Sequence, residues 1–551
     1  MLSRDTSQRV LPESRTGSRY MIRAIRRVAS AAVLGLVLTG STAAAQKVGG
    51  ILRVHLWDSP PNLSVLDGVN PLGARTLMPV FNNLVMLDQH AKQSRLDAIA
   101  PDLATSWTWN EDGTELTFRL RHGVRWHDGR PFTANDVKCT WDLILEKGPE
   151  KLRVNWFKSW YKNLEQVTTT GDDEVTFRLK RQQPAFLLLI ASGWSPIYPC
   201  HVPAAQMRQR PIGTGPFKFV EFKPNESIKL TRNPEYWKPG LPYLDGIEFP
   251  IIKNMSTAVL AFVSGKFDMI WPYSLTAPLL KDVQSQMPQA ICEMTPNGGI
   301  NFHLLVNRDK PPFDNPDLRR AMALSLDRKA FIDILDQGQG DIGGVLQPPP
   351  AGLWGMPPEL LKELPGYDPD VAKNRAQARQ IVQKLGYGSR KPLPIKVSIR
   401  DLPPFRNTAV LLIDQLKQIY IDGQLEILDT SLFYPAILRK DFTVGVNGQI
   451  SGPDPDPTLE VLYGCGSSVN WDGYCNPEVD KMIEQQSMDG NAARRKQLLW
   501  TIERKLAEDV VRPIILYDRF ATCWQPYVKG PTMMVDSLFD SNRREDWWLD
   551  K

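Results

Sequence analysis

The spacing of apolar residues changes along this 551-residue chain, and that change constrains the fold more than any other feature. In "TELTFRLRHGVRWHDG", Leu116, Phe118 and Leu120 alternate with Thr117 and Arg119, the period of a half-buried strand. A glycine-bearing turn and a second short strand through Val124 and Trp126 are expected next. "TANDVKCTWDLILEKG" then switches to helical spacing, with Thr133 and Asp136 in a capping-box pattern. "EVTFRLK" (174–180) repeats the alternation, and "FKFVEF" (217–222) and "SIKLTRN" (227–233) bracket "KPNE" as a hairpin. A strand is also expected at 51–57. From about residue 300 the order differs: a strand at 302–306, a helix over "DLRRAMALSLDRKAFIDIL" and another over 369–385. Strand "IKVSIR" (395–400), helix "FRNTAVLLIDQLKQI" and strand "QLEILD" follow in βαβ-like succession, then helix over 477–508 and a late strand in "PIILYDRFAT". The reading is an α/β protein with α+β portions, and about 500 residues exceed what one core usually supports.

The first 45 residues read as a leader. Arg23, Arg26 and Arg27 precede an apolar stretch from Val28 to about Leu38, and Ala43-Ala44-Ala45 offers a signal-peptidase cut before Gln46. Met21 is the expected true start. The leader's seven arginines against two acidic residues carry the whole formal charge of +5, leaving 59 basic and 59 acidic residues beyond it. A neutral chain without a basic run gives no electrostatic case for nucleic acid. No later apolar run reaches the roughly 18 residues of a membrane helix.

Histidines 122 and 127 with Asp128 are the densest cluster of chemistry-bearing residues, but Asp128-Gly129 is more simply a turn, and the stretch reads as scaffold. There is no His-Glu-x-x-His, no Gly-x-Ser-x-Gly and no phosphate-binding glycine loop, so no catalytic residue, metal site or cofactor is assigned. Of the six cysteines, Cys465 and Cys475 close the short polar loop "CGSSVNWDGYC" and are the expected disulfide; spacing does not pair Cys139, Cys200, Cys292 and Cys523.

The string "PDLATSWTWNEDGTELTFRLRHGVRWHDGRPFTANDVKCTWDLI" resembles the signature region of the family 5 extracellular solute-binding proteins, the binding components of peptide and nickel type ABC importers. "GTGPFKFVEFKPNESIKLTRNPEYW", "LPYLDGIEF", "PFDNPDLRRAMALSLDRKAFI", "CNPEVDKMIEQQ" and "ARRKQLLWTIERKLAED" extend the likeness over nearly the whole chain beyond the leader. The resemblance implies the large, three-subdomain periplasmic-binding-protein fold, two lobes closing over a ligand. Lobe I would use residues 46–297, with an extra subdomain at about 86–205, and return at 512–551; lobe II would be 303–511. It implies a periplasmic monomer that binds short peptides without turnover and delivers them to inner-membrane permease subunits with cytoplasmic ATPases. An oligosaccharide, opine or nickel chelate is the alternative ligand; a secreted hydrolase or a peptide-binding chaperone is the alternative class.

In the dipeptide-binding branch an arginine clamps the peptide carboxylate. The matching position here is Arg400, whose fork suits two parallel bonds to a carboxylate, with Arg406 as a second anion contact. The aspartate that would take the ligand's amine falls near Ser451 in "NGQISGPDPDPTLEVLYGC", a departure that leaves Asp454 as its substitute. Trp471 and Trp194 are the aromatic candidates for the cleft.

Overall fold

The hairpin and helix of the first half form as their spacing predicts. In the computed structural model, Glu115–Leu120 is a strand with Leu116, Phe118 and Leu120 buried, paired antiparallel with Glu174–Leu179, whose Val175, Phe177 and Leu179 are buried too. Ala104–Trp109 and Leu164–Thr170 complete a four-stranded antiparallel sheet. The helix Ala134–Ile144 opens on the capping box of Thr133 and Asp136 and packs Trp141 against Phe177, ring centroids 4.7 Å apart. The expected second strand through Val124 and Trp126 is instead a turn with one bridge, Arg125 to Pro131, because the backbone bonds close locally, Trp126 N–H to the Arg130 carbonyl at 2.8 Å and Phe132 N–H to the Val124 carbonyl at 3.0 Å. A second four-stranded sheet, in the order Ile51–Arg53, Gly246–Pro250, Ser227–Arg232, Phe217–Lys223, shares one hydrophobic core with the first. The structure describes residues 46–67, 71–155, 157–271, 274–449, 452, 454–467, 469–535 and 543–551, so the expected leader, its cut after Ala45 and Ser451 lie outside the described residues.

The later half is built on a five-stranded sheet in the order Ile421–Leu428, Leu393–Arg400, Val444–Gln449, Ile291–Val306, Ile514–Trp524. Leu393–Arg400 runs parallel to both its neighbours, as the βαβ-like order requires. Two expected helices are each broken once. Asp327 caps a new helix at Arg328–Leu335 through the Ala330 N–H, separating it from Pro316–Ser325. Asn491 does the same for Ala492–Glu508 after Pro477–Met488, through the Arg494 N–H. A capping oxygen satisfies N–H groups that the preceding turn cannot.

Ile291–Val306 and Ile514–Trp524 are long antiparallel partners that pass between two cores. Ala521 and Cys523 pack with Val259, Phe262 and Ile270, whereas Leu516 and Phe302 pack with Val397, Ile399 and Leu412. Between those ends the pairing slips: Pro296 faces Arg519, but Asn301 faces Tyr517. Both strands thus run without interruption from one core into the other. Cys292 and Cys523, directly opposite in this ladder, form a disulfide, as do Cys139 with Cys200 and Cys465 with Cys475.

The histidine stretch is structural in its contacts. His127 Nε2 donates to the Gly215 carbonyl at 3.0 Å while its Nδ1 accepts from the Gly213 N–H at 3.3 Å, and burial lowers its pKa to about 4. This fixes the 213–215 loop against Val80; a Cβ at residue 213 would meet the Val80 carbonyl oxygen at 1.8 Å, which is why glycine stands there. His122 is exposed beside Asp173, and Asp128 accepts from His201 at 2.7 Å.

Candidate functional site

Arg400 ends its strand, and in a parallel sheet the carboxyl ends of the strands are where ligand clefts form. Its guanidinium carbon lies 4.0 Å from the Phe405 ring centroid and 5.4 Å from that of Tyr434. Phe405 reaches this position from the first turn of the helix Pro403–Lys417, with its edge 3.3 Å from where a Cβ would stand on Gly448. Arg400 Nε is buried, and no carboxylate or carbonyl accepts from the guanidinium among the described residues. Burial lowers its pKa against a smaller raising effect from Tyr434, but a guanidinium keeps its charge at any physiological pH. A part-buried cation stacked on two rings and lacking an anion among the described residues is an arrangement that favours an anionic ligand.

Tyr434 links this cation to Trp471, whose ring centroid is 5.9 Å away. Trp471 is buried in the loop closed by Cys465–Cys475, and its indole N–H has no partner among the described residues. Arg512, fully buried, pins that loop: it donates to Asp472 Oδ1 at 3.2 Å, to the Val469 carbonyl at 2.9 Å and to Gln449 Oε1 at 3.2 Å. On the same sheet face His303 and Asn447 stand opposite each other in register. His303 Nδ1 lies 3.1 Å from Asn301 Oδ1, while His303 Nε2 and Asn447 Oδ1 are buried without a partner among the described residues. Burial, with Arg512 nearby, holds the His303 pKa well below its usual value, so the ring is neutral. These groups offer hydrogen bonds and one strong positive charge; they do not form a nucleophile–base pair.

The other sequence candidates lie elsewhere. Arg406 is half-exposed and ion-paired with Asp401, because the first helical turn after Pro404 aims it at solvent. Asp454 is buried with both oxygens on Arg495, one at 2.6 Å, and Arg495 is itself stacked 4.5 Å from the Trp354 ring. As placed, that carboxylate is held by Arg495 and is not free for a ligand amine. Asp456, two residues on, accepts from Gln486 at 2.8 Å and from Gln183 of the first half at 2.6 Å. Trp194 is core, 5.7 Å from Phe157. Tyr434, His303, Asn447 and Gln183 had no motif to mark them. Among the described residues no group of three or more His, Cys, Asp or Glu stands together to hold a metal ion, and no helix is long and apolar enough to cross a membrane.

One turn beyond Tyr434 on the helix Thr430–Leu438, Leu438 lines a cavity of about 730 Å3. Its other wall comes from the antiparallel sheet and helices of residues 145–180.

Residues 98–470 match the family model described as bacterial extracellular solute-binding proteins, family 5 middle. The di/tripeptide-binding protein 1 of Pseudomonas aeruginosa is 25% identical over 488 residues, covering 82% of this chain and 85% of that one. The solved structure of the periplasmic binding protein DppA of Helicobacter pylori with the peptide STSA superposes with a TM-score of 0.79 at 20% identity, covering 92% of this chain and 99% of the other. A dipeptide-binding protein from a Pseudoalteromonas species in complex with Met-Leu superposes with a TM-score of 0.78 at 20% identity, covering 91% and 100%. The structural matches share the bilobal periplasmic-binding-protein fold built above, and the chain belongs to the bacterial extracellular solute-binding proteins of family 5.

Proposed function

We propose that the protein is the periplasmic binding component of an ABC importer, a non-enzymatic monomer that closes over a short peptide and delivers it to membrane permease subunits driven by cytoplasmic ATPases. Lobe I comprises 46–297 and 512–551, lobe II comprises 303–511, and the paired long strands form the hinge. The peptide's carboxylate seats on Arg400, and Tyr434 and Trp471 line its path. The observation that carries this reading is the part-buried Arg400 guanidinium, its Nε enclosed, stacked on Phe405 and Tyr434 with no anion among the described residues. The names of the relatives, a di/tripeptide-binding protein and structures in complex with the peptide STSA and with Met-Leu, support the ligand class.

Calorimetric titration with di- and tripeptides, as free acids and as C-terminal amides, tests it. A hydrogen bond to a charged partner contributes roughly 1.5–3 kcal/mol, so amidation or Arg400→Gln is expected to weaken binding about 10- to 100-fold. Amidation of the ligand has no further effect on the Arg400→Gln protein. Equal binding of acid and amide by the unaltered protein refutes the carboxylate clamp. Because Asp454 is already held by Arg495, N-acetylation is expected to cost less than amidation.

A further inference from the structure

We infer that the cavity lined by Leu438, one helical turn from Tyr434, is a subsite for an acidic side chain, so that the protein prefers peptides with Glu or Asp about two residues before the carboxylate. The inference rests on the peptide reading above and deepens it. The cavity, about 730 Å3, lies within the 300–1,000 Å3 range of ligand pockets. Its lobe II wall is apolar, with Leu438, Val461 and Val469; the facing wall carries Lys147, Lys158, Lys162 and Lys180. Two of these lysines are neutralised: Lys158 by Glu146 at 2.5 Å and Lys162 by Glu460 of lobe II at 2.6 Å. The other two are not. Lys147 donates to the Glu165 carbonyl and Lys180 to the Lys162 carbonyl at 2.8 Å, while the one lining carboxylate, Glu165, pairs with Arg178 at 3.0 Å. Neither Lys147 nor Lys180 has a carboxylate within 4 Å among the described residues, so the wall holds two uncompensated positive charges.

The distance to the carboxylate clamp follows from one helix. Tyr434, against Arg400, and Leu438, in the cavity wall, are one turn apart, about 6 Å along the axis. An extended peptide advances about 3.3–3.6 Å per residue, so the residue two positions before the carboxylate reaches the cavity. The Lys162–Glu460 bridge spans the two lobes at its rim, so the chamber is completed by closure.

The test is calorimetric titration of the purified protein with Glu-Ala-Ala, Gln-Ala-Ala and Lys-Ala-Ala, repeated on the double variant Lys147→Gln/Lys180→Gln. Both lysines are exposed, so these substitutions leave folding intact. The expected result is Glu over Gln by roughly three- to tenfold, the scale of one or two partly screened ion pairs, with Lys weakest. In the double variant the Glu preference disappears and Gln-Ala-Ala binds as before. Equal affinity for Glu and Gln peptides in the unaltered protein, or a Glu preference that survives in the double variant, overturns the subsite. Arg400-dependent binding of Gln-Ala-Ala without a Glu preference removes the subsite alone; failure of all three peptides to bind removes the peptide reading and the subsite with it.

Discussion

Gln183→Leu removes a contact that exists only when the lobes are together. Gln183 Nε2 donates to Asp456 Oδ2 at 2.6 Å, and both residues are buried. The amide is oriented by Asn163, which donates to Gln183 Oε1 at 3.0 Å and keeps its bond to the Arg181 carbonyl after the substitution. Asp456 likewise keeps Gln486 at 2.8 Å, so the carboxylate is weakened but not stripped. Leucine nearly matches the volume of glutamine, which limits any packing loss. What is lost is one hydrogen bond to a buried carboxylate, roughly 1.5–3 kcal/mol. In the open protein water solvates both groups, so the whole cost falls on the closed state and the apparent Kd of any ligand that needs closure rises about 10- to 100-fold. Titrating two unrelated ligands into Gln183→Leu should show the same factor for both. Lys162→Gln breaks the exposed inter-lobe bridge to Glu460, where side-chain exposures of 72% and 36% limit the effect to less than about fivefold. Unchanged affinity in Gln183→Leu, or a loss confined to one ligand, refutes the clasp.

Three further outcomes are expected. Arg543 and Asp102 form a fully buried pair, Nη1 to Oδ2 2.9 Å, so Asp102→Ala strands the guanidinium and should cost about 3–5 kcal/mol in urea unfolding; a loss below 1 kcal/mol sinks that assignment. Asp336 and Asp518 share a buried site, and burial raises both carboxyls, Asp336 to about 6 from 3.8 and Asp518 further through its neighbour. The native state therefore keeps protons that the unfolded chain releases near pH 4, stability falls as pH rises from about 4 through 6, and Asp518→Asn should gain on the unaltered protein across that window; parallel curves would contradict this. Cys292 and Cys523 are 231 residues apart in sequence, so the Cys292→Ser/Cys523→Ser variant should lose about 2–5 kcal/mol in denaturant titrations, and an unchanged midpoint would show that the strands need no crosslink.

What the sequence revealed was what short-range patterns determine. Leu116, Phe118 and Leu120 alternate because the sheet buries one face, and Thr133 with Asp136 caps a helix within four residues. The breaks at Asp327 and Asn491 were hidden because apolar spacing continues through both, and only the capping bond shows that the helix restarts. The likeness to the family directed attention to Arg400 and to the Asp-Pro segment, but not to their partners. Arg495, 41 residues beyond Asp454, decides that this carboxylate is occupied, and Tyr434, 34 residues beyond Arg400, carries the stacking toward Trp471. The same limit explains Trp194 and Trp471: only distant packing puts Trp194 in the first core, against Phe157, and Trp471 in another, under Arg512 and against Tyr434.

The proposed hinge and the proposed carboxylate clamp share one five-stranded sheet. Residues 291–295 are only partly buried or exposed, so no alternation marked them, yet they continue the same strand as Phe302 and Leu304. The register slip between Pro296 and Asn301 lies two residues from His303, and one strand, Val444–Gln449, separates this strand from the one ending in Arg400. A rotation of the lobes about the slip moves the first core, with Cys292 and Cys523, against a second sheet that keeps Arg400, Asn447 and His303 fixed relative to one another. The proposed clamp thus sits on one sheet, and the proposed closure is expected to bring the lysine-bearing wall and Gln183 to it. If the proposed clamp holds, lobe II is expected to make the first contact with the ligand, and the Gln183–Asp456 hydrogen bond then adds to the affinity only in the closed state.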